Sequence, residues 1–173
     1  SGTVLDTARF RYELGEHLFV DSRSVHAYII GEHGDSELAA WSDARVGGLP
    51  IHDFCELRGH FEHDESMQRI AEDVKNSAYE IIAKKKATYY GIAMSVKRIC
   101  EAIVRDEKPI LPVSNFQHGV HGLHDVVLSM PAIIGRGGIE QKVPISLNAA
   151  EREKLEASAA ALRAVIDELD LSE

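Results

Sequence analysis

An acid, a base and a guanidinium group occur in two short segments near the start of the chain. Asp6 and Arg9 are three residues apart in a stretch whose pattern predicts a helix, so their side chains share one helix face. His33 follows an apolar run that predicts a strand, and Gly31 and Gly34 place it in a turn. A histidine beyond a strand end, with a carboxylate to orient it, is typical of an acid–base site. The arginine adds a planar fork that can bind a carboxylate or a phosphate.

Each of these residues also has a structural interpretation, which the spacing leaves open. Thr3 fits the N-cap of the predicted helix, so Asp6 can be the acid of a capping box, a role that is compatible with catalysis. Arg9 can form a surface salt bridge, and His33 can be a turn histidine bonded to the backbone. The occurrence of all three residue types in these contexts favours a functional site.

Helical and extended patterns occupy separate stretches of the chain. Apolar spacing predicts helices over residues 3–19 and 66–86, another after Thr88 as its cap, and a last one that Asn148 and Glu151 begin. The other predicted segments are strands at residues 25–30, 44–51, 109–113, 126–134 and 139–145, and a surface loop at residues 52–65. Helices and antiparallel strands thus occur in separate runs, which indicates an α+β fold with helices packed on antiparallel sheet.

Composition narrows the class of protein. A chain of 173 residues is long enough for one domain with its own core. The formal net charge of −9 argues against nucleic acid or an anionic membrane as the main partner. Two cysteines, Cys55 and Cys100, are too few for a disulfide framework and fit a reducing cytoplasm. No apolar run approaches the roughly 20 residues that span a bilayer, and no secretory signal precedes the fold, so we expect a cytoplasmic protein.

The order of the motifs resembles that of one known family. Asp-x-x-Arg-x-Arg at residues 6–11, followed by Gly-Glu-His-Gly-Asp-Ser at residues 31–36, is similar to the substrate half of the L-lactate/L-malate dehydrogenases. The Gly-Glu-His-Gly-Asp form resembles the lactate dehydrogenase branch. The likeness continues through residues 87–93 and 110–114, almost from end to end. It implies that residues 1–173 form the substrate-binding C-terminal domain of such an enzyme, with the α+β fold of that domain.

The resemblance also implies a second half that this sequence does not contain. No Gly-x-Gly-x-x-Gly follows a predicted strand, although such a motif marks the dinucleotide-binding domain. The chain begins at Ser1 rather than at a methionine. We therefore expect it to be a piece of a longer protein, with the Rossmann half that binds NAD upstream of Ser1.

The resemblance implies roles for the three central residues. His33 would be the proton donor and acceptor, Asp6 would orient its ring and favour its charged form, and Arg9 would bind the substrate carboxylate. The implied reaction is the interconversion of pyruvate and L-lactate with NADH as the hydride source. Malate dehydrogenase is the alternative within the class, because the residue that separates the two substrates lies in the other half. A non-catalytic phosphate-binding or oligomerisation module is the alternative from another class.

Three further positions match the family. Thr88 would line the substrate pocket, Ile92 would contact the nicotinamide face, and Ser1 would lie near the nicotinamide carboxamide. Each also has a structural alternative: a helix cap for Thr88, a core residue for Ile92 and a chain end for Ser1.

Arg11 and His26 raise the possibility of regulation. Arg11 lies about 200° around the predicted helix from Arg9, so the two cannot bind one ligand. In the bacterial, allosteric lactate dehydrogenases that this chain resembles, the matching residues bind fructose 1,6-bisphosphate across a two-fold subunit interface. The resemblance thus implies this effector and a homotetramer. The alternative is that Arg11 pairs with an interface acid and that His26 is an ordinary strand residue.

The remaining histidines raise the question of a metal site. His118, His121 and His124 recur at every third position, and His60 and His63 form a His-x-x-His pair. Helical i, i+4 spacing is missing, and no cysteine lies near enough in sequence to complete a structural zinc site. We therefore expect no metal.

Overall fold

Helices and antiparallel strands are segregated in the computed structural model, which describes residues 1–61 and 63–169. The helices in this part of the chain are α1 (Val4–Leu18), α2 (Ile51–Leu57), α3 (His63–Lys85), α4 (Tyr90–Arg105) and α5 (Ala149–Asp167). The strands are β1 (Val25–His26), β2 (Ile29–Ile30), β3 (Leu38–Ala39), β4 (Arg45–Val46), β5 (Leu49–Pro50), β6 (Ile110–His118), β7 (His124–Gly135) and β8 (Gly138–Lys142). The predicted α+β fold class is confirmed.

Helix α1 forms because its apolar side chains recur on one face. Phe10, Leu14 and Leu18 are spaced four residues apart and are almost completely buried. The helix covers nearly all of the predicted segment 3–19, and Phe19 ends it in a left-handed conformation.

The capping box predicted for α1 is wrong. Thr3 occupies the N-cap position, but its side chain makes no cap hydrogen bond. Its Oγ1 instead donates to the carbonyl oxygen of Ile29 at 2.6 Å, and the carboxylate of Asp6 contacts His33 and Arg9. The Ile29 carbonyl lies in the interior, where a polar group needs a partner. The Thr3 hydroxyl, which a capping box would need, therefore bonds to a residue of β2 instead.

The single strand predicted at residues 25–30 is two short strands with different partners. Strand β1 pairs with β4, whereas β2 pairs with β3. The backbone between them leaves both ladders: the carbonyl of Ala27 accepts from Arg11, and that of Tyr28 accepts from the amide of Ala40. The apolar run predicted extended backbone correctly, but it could not show where the partner changes.

The extended segment predicted at 44–51 is a hairpin, and the loop predicted at 52–65 is mostly helical. Strands β4 and β5 are joined by Gly47 and Gly48, whose φ angles of 57° and 90° suit glycine. Helix α2 begins directly afterwards. Ile51 and Cys55, four residues apart, are buried on one face of this helix and stabilise it. Helix α3 begins before the predicted loop would end, and Glu62 lies outside the described residues.

The broken pair of helices predicted around residues 84–92 is confirmed as α3 and α4, but its predicted cap is wrong. The N-cap position of α4 is Tyr89 rather than Thr88, and no side chain caps it. Lys86, with a φ of 67°, directly follows the last residue of α3 and ends the helix. The break therefore coincides with a left-handed residue, and no side-chain cap starts the second helix.

Strands β6, β7 and β8 form one antiparallel sheet in that order. The strands predicted at 109–113 and 126–134 are confirmed and are longer than expected, whereas the one predicted at 139–145 ends at Lys142. The capping box at the start of α5 is also confirmed. The Glu151 amide donates to Asn148 Oδ1 and the Asn148 amide donates to Glu151 Oε2, both at 2.9 Å.

Three apolar clusters hold the described residues together. The first joins α1 to α2 and α3, the second joins β2, β3 and β7 to α5, and the third lies between α4 and the β6–β7 pair. Helix α1 contributes Val4 to the third cluster and Phe10 to the first, so it touches both sides of the fold. None of the helices within residues 1–61 and 63–169 has both the length and the apolar character that crossing a membrane requires.

Replacing Thr7 by valine is expected to destabilise the fold. The Ile29 amide donates to Thr7 Oγ1 at 2.9 Å in the interior, and valine leaves that amide without a partner. An unsatisfied buried donor costs about 1–3 kcal/mol. Urea unfolding of the full-length protein measures the change, with Thr88→Val on the half-buried α3–α4 connection as the isosteric control. Equal stability of the two variants would contradict the role given to Thr7.

Candidate active site

Asp6 lies in the first turns of α1, where neighbouring hydroxyls fix the helix to strand β2. Thr3 Oγ1 donates to the Ile29 carbonyl, and Thr7 Oγ1 exchanges hydrogen bonds with the same residue's amide and carbonyl. Thr3 and Thr7 are four residues apart on one face of the helix. Since Ile29 lies only four residues before His33, these bonds set the distance between the acid and the histidine.

Gly31 directs the chain from β2 into the turn that carries His33. Its φ is 94°, and its amide and carbonyl exchange hydrogen bonds of 2.9 and 2.8 Å with Ser129 of β7. A Cβ at this position would lie 2.8 Å from the hydroxyl of Ser158. Both the backbone conformation and the close approach of α5 therefore require glycine.

The turn is held from α5 and from α3. On the α5 side, Ser158 Oγ accepts from the Glu32 amide at 2.8 Å and lies 3.0 Å from Ser36 Oγ. On the α3 side, Tyr79 donates its hydroxyl to Asp35 Oδ1 at 2.8 Å, and Lys75 bonds to the Asp35 carbonyl. The histidine thus sits on a turn that two helices and β7 support, which limits its movement.

The imidazole of His33 contacts the carboxylate of Asp6. His33 Nδ1 lies 2.9 Å from Asp6 Oδ2, and the aspartate is 4% exposed. The pair is a close ion pair rather than an aligned hydrogen bond, because Oδ2 has no hydrogen bond of regular geometry among the described residues. The His33 side chain as a whole is 53% exposed, which leaves the imidazole open to a substrate.

Glu37 is a second carboxylate beside the same histidine, and the sequence motifs did not identify it. Its Oε2 lies 4.0 Å from His33 Nδ1, and its side chain is largely buried. Burial is the main reason why the pKa of Glu37 lies above its ordinary value. The only available signal was its position four residues after His33.

Together the two acids favour the charged form of the imidazole. Contact with Asp6 first, and with Glu37 second, raises the pKa of His33 to about 10, against the opposing effect of burial. At neutral pH the histidine therefore carries a proton that it can donate.

Arg9 lies on the other side of the same aspartate. Its Nη1 donates to Asp6 Oδ1 at 3.3 Å, while Asp6 Oδ2 faces His33. One buried carboxylate thus places a guanidinium and an imidazolium next to each other. The remaining N–H groups of Arg9 can bind a carboxylate, while His33 Nε2 can give a proton to an oxygen or take one back.

These groups form an open face rather than an enclosed pocket in the part of the chain that the structure describes. A cavity of about 520 Å³ lies beside the turn that carries His33 and includes Glu37 and Lys75 in its wall. Asp6, Arg9 and His33 do not line that cavity. A substrate on the exposed side of His33 would therefore need a cover from elsewhere.

The other three candidates lie on the α3–α4 connection, in α4 and at the start of the chain. Thr88 is half-buried on the α3–α4 connection, and Ile92 is half-buried in the first turn of α4. The two segments are brought to α1 by Gly91, where a Cβ would lie 3.0 Å from Leu5. Ser1 is exposed at the start of the chain. The structure thus places the first turn of α4, which carries Ile92, next to the helix of Asp6.

Arg11 and His26 make contacts separate from those of the Asp6 site. Arg11 Nε donates to the carbonyl of Ala27 at 2.9 Å, and its guanidinium lies 4.9 Å from the centre of the Tyr28 ring. His26 is exposed on β1, directly opposite Arg45 of β4 in the ladder. The structure therefore places Arg45, which the motifs did not identify, opposite His26, and Arg11 beside the backbone of the residue after His26.

The histidines at 118, 121 and 124 are divided between two environments. His118 and His124 oppose each other across the β6–β7 pair. His121 lies in the connecting turn with a φ of 52°, where it contacts the backbone of Ile145. The spacing of three therefore reflects a hairpin.

Three comparisons with known proteins agree on the family to which the chain is similar. A family model described as lactate/malate dehydrogenase, alpha/beta C-terminal domain, matches residues 3–171. The chain is 53% identical over 171 residues to L-lactate dehydrogenase of Acetivibrio thermocellus, which covers 99% of this chain and 54% of that protein. It is 52% identical over 168 residues to L-lactate dehydrogenase of Streptococcus mutans, covering 97% and 51% respectively.

A solved structure supports the same relationship. The minor L-lactate dehydrogenase from Enterococcus mundtii, in its ligands-bound form, matches with a TM-score of 0.92 and 46% identity, covering 99% of this chain and 54% of that one. The chain spans about half the length of the curated relatives it matches. With nearly every residue inside the family model, the chain belongs to the lactate/malate dehydrogenase family and corresponds to its α/β C-terminal domain.

Proposed function

We propose that this chain is the substrate-binding domain of an NAD-dependent L-lactate dehydrogenase. The observation that carries the proposal is the buried carboxylate of Asp6 between His33 and Arg9. A proton donor and a carboxylate-binding cation on adjacent positions suit a small 2-oxo acid such as pyruvate. Two relatives that are 53% and 52% identical to the chain in sequence are named L-lactate dehydrogenase, which supports the same activity.

Reduction of the keto group requires a proton on oxygen as a hydride reaches carbon. His33 donates it from Nε2, because Nδ1 faces Asp6. The carboxylate of Asp6 stabilises the imidazolium before the transfer, and Arg9 holds the acid end of pyruvate so that the ketone oxygen points at His33. In the reverse direction neutral His33 accepts the hydroxyl proton of L-lactate.

The exposed face beside α4 is suitable for a nicotinamide ring. Ile92 offers an apolar side chain next to the helix of Asp6, and Ser1 offers an exposed hydroxyl. These two residues would contact the ring, and Thr88 would line the substrate side. When bound, NADH supplies the hydride, and the NAD-binding half of the same enzyme would provide the cover that the open face needs.

Activity measurements distinguish the proposed function from two alternatives. A malate dehydrogenase would use the same proton chemistry with a dicarboxylate substrate, so the ratio of kcat/KM for pyruvate and oxaloacetate in the full-length protein distinguishes the two. A phosphate-binding or oligomerisation module would reduce neither substrate. The position of Asp6 between a base and a cation favours an enzyme.

Replacing Arg9 by lysine is expected to weaken pyruvate binding selectively. Lysine keeps the charge but loses the fork, and a lost charge-assisted hydrogen bond costs about 1.5–3 kcal/mol. We expect a pyruvate KM at least about tenfold higher, with NADH affinity nearly unchanged. Steady-state kinetics and NADH fluorescence titration measure both, with the exposed Arg136→Lys as the control. An unaltered KM would remove Arg9 from the substrate site.

Replacing Asp6 by asparagine is expected to shift the pH profile of pyruvate reduction. The pKa of His33 is raised to about 10 mainly by Asp6, so a neutral amide lowers it towards 6.5. Because reduction needs protonated His33, the high-pH limb should move to lower pH, while lactate oxidation, which starts from neutral histidine, suffers less.

The profile is measured in both directions against Asp73→Asn, an exposed acid on α3. Circular dichroism checks that each variant is folded. Profiles that superimpose on that of the parent would show that Asp6 does not act on His33.

We also propose that Arg11 and His26 bind fructose 1,6-bisphosphate across a two-fold axis of a homotetramer. The support is that Arg11 bonds to the backbone of Ala27, the residue after His26, and that His26 lies opposite Arg45 in the β1–β4 pair, so two guanidinium groups that can bind an anion are associated with this strand. An effector that binds only the assembled, high-affinity state would shift the equilibrium toward it by its differential affinity.

Fructose 1,6-bisphosphate is therefore expected to lower the pyruvate KM of the full-length enzyme. Arg11→Gln should abolish this response without changing turnover at saturating pyruvate, whereas Arg23→Gln, an exposed arginine paired with Asp21, should retain it. KM is measured with and without the effector in all three proteins. An equal response of Arg11→Gln, or no response of the parent, would reject the site.

A further inference from the structure

Two histidines that are eleven residues apart in sequence meet where helices α2 and α3 begin. His52 is the second residue of α2 and His63 is the first residue of α3. His52 Nδ1 lies 2.6 Å from His63 Nε2, and the ring centres are 4.7 Å apart. The sequence spacing gave no indication of this approach, because it depends on how the connection between the helices folds back.

A carboxylate lies beside the pair. Asp64 Oδ1 is 3.7 Å from His63 Nε2, and one ligand atom from each of His52, His63 and Asp64 lies within 4.8 Å of the other two. Two imidazole nitrogens and a carboxylate oxygen therefore converge on one point of the surface.

The second ring nitrogen of His63 is held by the backbone. His63 Nδ1 lies 3.1 Å from the carbonyl oxygen of His60, which can only accept a hydrogen bond. The proton of neutral His63 is therefore on Nδ1, and the lone pair of Nε2 faces His52 and Asp64. Metal-binding histidines typically donate their other N–H to a carbonyl in this way.

The simpler explanation is a hydrogen bond from His52 Nδ1 to His63 Nε2. That bond accounts for the contact of the two rings, but it gives no role to Asp64, whose oxygen faces the same acceptor nitrogen. A cation between the three groups would satisfy all of them. We propose that His52, His63 and Asp64 bind a zinc ion or a similar divalent transition metal.

The chemistry and geometry of the three groups suit zinc. Two imidazoles and a carboxylate are common zinc ligands, whereas magnesium and calcium prefer oxygen ligands throughout. Zinc–nitrogen bonds of about 2.0–2.1 Å place tetrahedral ligand atoms roughly 3.3 Å apart. The nitrogens of His52 and His63 must therefore separate by less than about 1 Å, and the exposed side chain of His52 can rotate to allow this.

A metal at this position would join the first turns of two helices that share a core. Ile51 and Cys55 of α2, and Met67 and Ile70 of α3, are buried in the same apolar cluster. A metal that binds only the folded state would stabilise the connection between α2 and α3, by an amount that rises with the logarithm of metal concentration once the site is saturated. None of the proposed ligands belongs to the Asp6 site, so this inference does not depend on the proposed dehydrogenase activity.

Zinc binding to the full-length, metal-stripped protein tests the proposal. Competition against a chromophoric chelator gives the dissociation constant for the parent and for His52→Gln, His63→Gln, Asp64→Asn and the control His124→Gln. Loss of a partner that only orients a ligand already costs 10–100-fold in metal affinity, so we expect at least about tenfold weaker binding in the three ligand variants. The control should bind like the parent, and magnesium should not compete.

A second readout keeps the test independent of folding defects. Cobalt(II) bound to the parent and to the control should show the visible ligand-field bands of a four-coordinate site, and these should weaken in His52→Gln, whose substituted side chain is exposed. Saturable zinc binding with one ion per chain, lost in the ligand variants, supports the site. Equal affinity in all five proteins, or no saturable binding by the parent, would overturn it.

Discussion

The hydrogen bonds between the start of α1 and the backbone of Ile29 are the constraint on which the candidate site depends. Thr3 and Thr7 present hydroxyls on one helix face, and both contact the same buried residue of β2. A strand of two residues has little stability by itself, since its own ladder contributes few hydrogen bonds. The hydroxyls supply bonds that the short ladder lacks, and they also fix Asp6 relative to the turn that follows β2.

The remaining supports of the site follow from that arrangement. Once β2 is fixed to α1, Gly31 pairs with Ser129 on β7, and the Thr3 amide donates to the Ser129 hydroxyl at 3.1 Å. Ser129 thus connects the helix of the acid to the turn of the histidine. Helices α3 and α5 then hold the turn from its two sides. The ion pair of Asp6 and His33 is short because rigid elements set it, and a buried acid has a strong effect on the pKa of its partner.

Sequence patterns predicted the elements that are stabilised by contacts between residues close together in the chain. Helices α3, α4 and α5 follow from apolar spacing. The capping box of Asn148 and Glu151 forms although the Ser42 amide also donates to Glu151 Oε1, because the other carboxylate oxygen still accepts from the Asn148 amide. The same motif failed at Thr3, where a buried carbonyl offered the hydroxyl a partner from another element. Strands of two residues were also beyond local prediction, because the change of partner between β1 and β2 is decided by residues that are distant in the chain.

The sequence by itself determined the residue types of the candidate site: the types, order and spacing of Asp6, Arg9 and His33 predicted an acid–base pair beside a carboxylate-binding cation, but left their structural interpretations open. The tertiary structure decided which additional groups act on it. Glu37 lies beside His33 only because the turn folds back on β3, and His52 meets His63 only because α2 and α3 pack on one core. A sequence motif shows which residue types occur at a fixed spacing. The distance between atoms of separate helices and strands is set by how those elements pack.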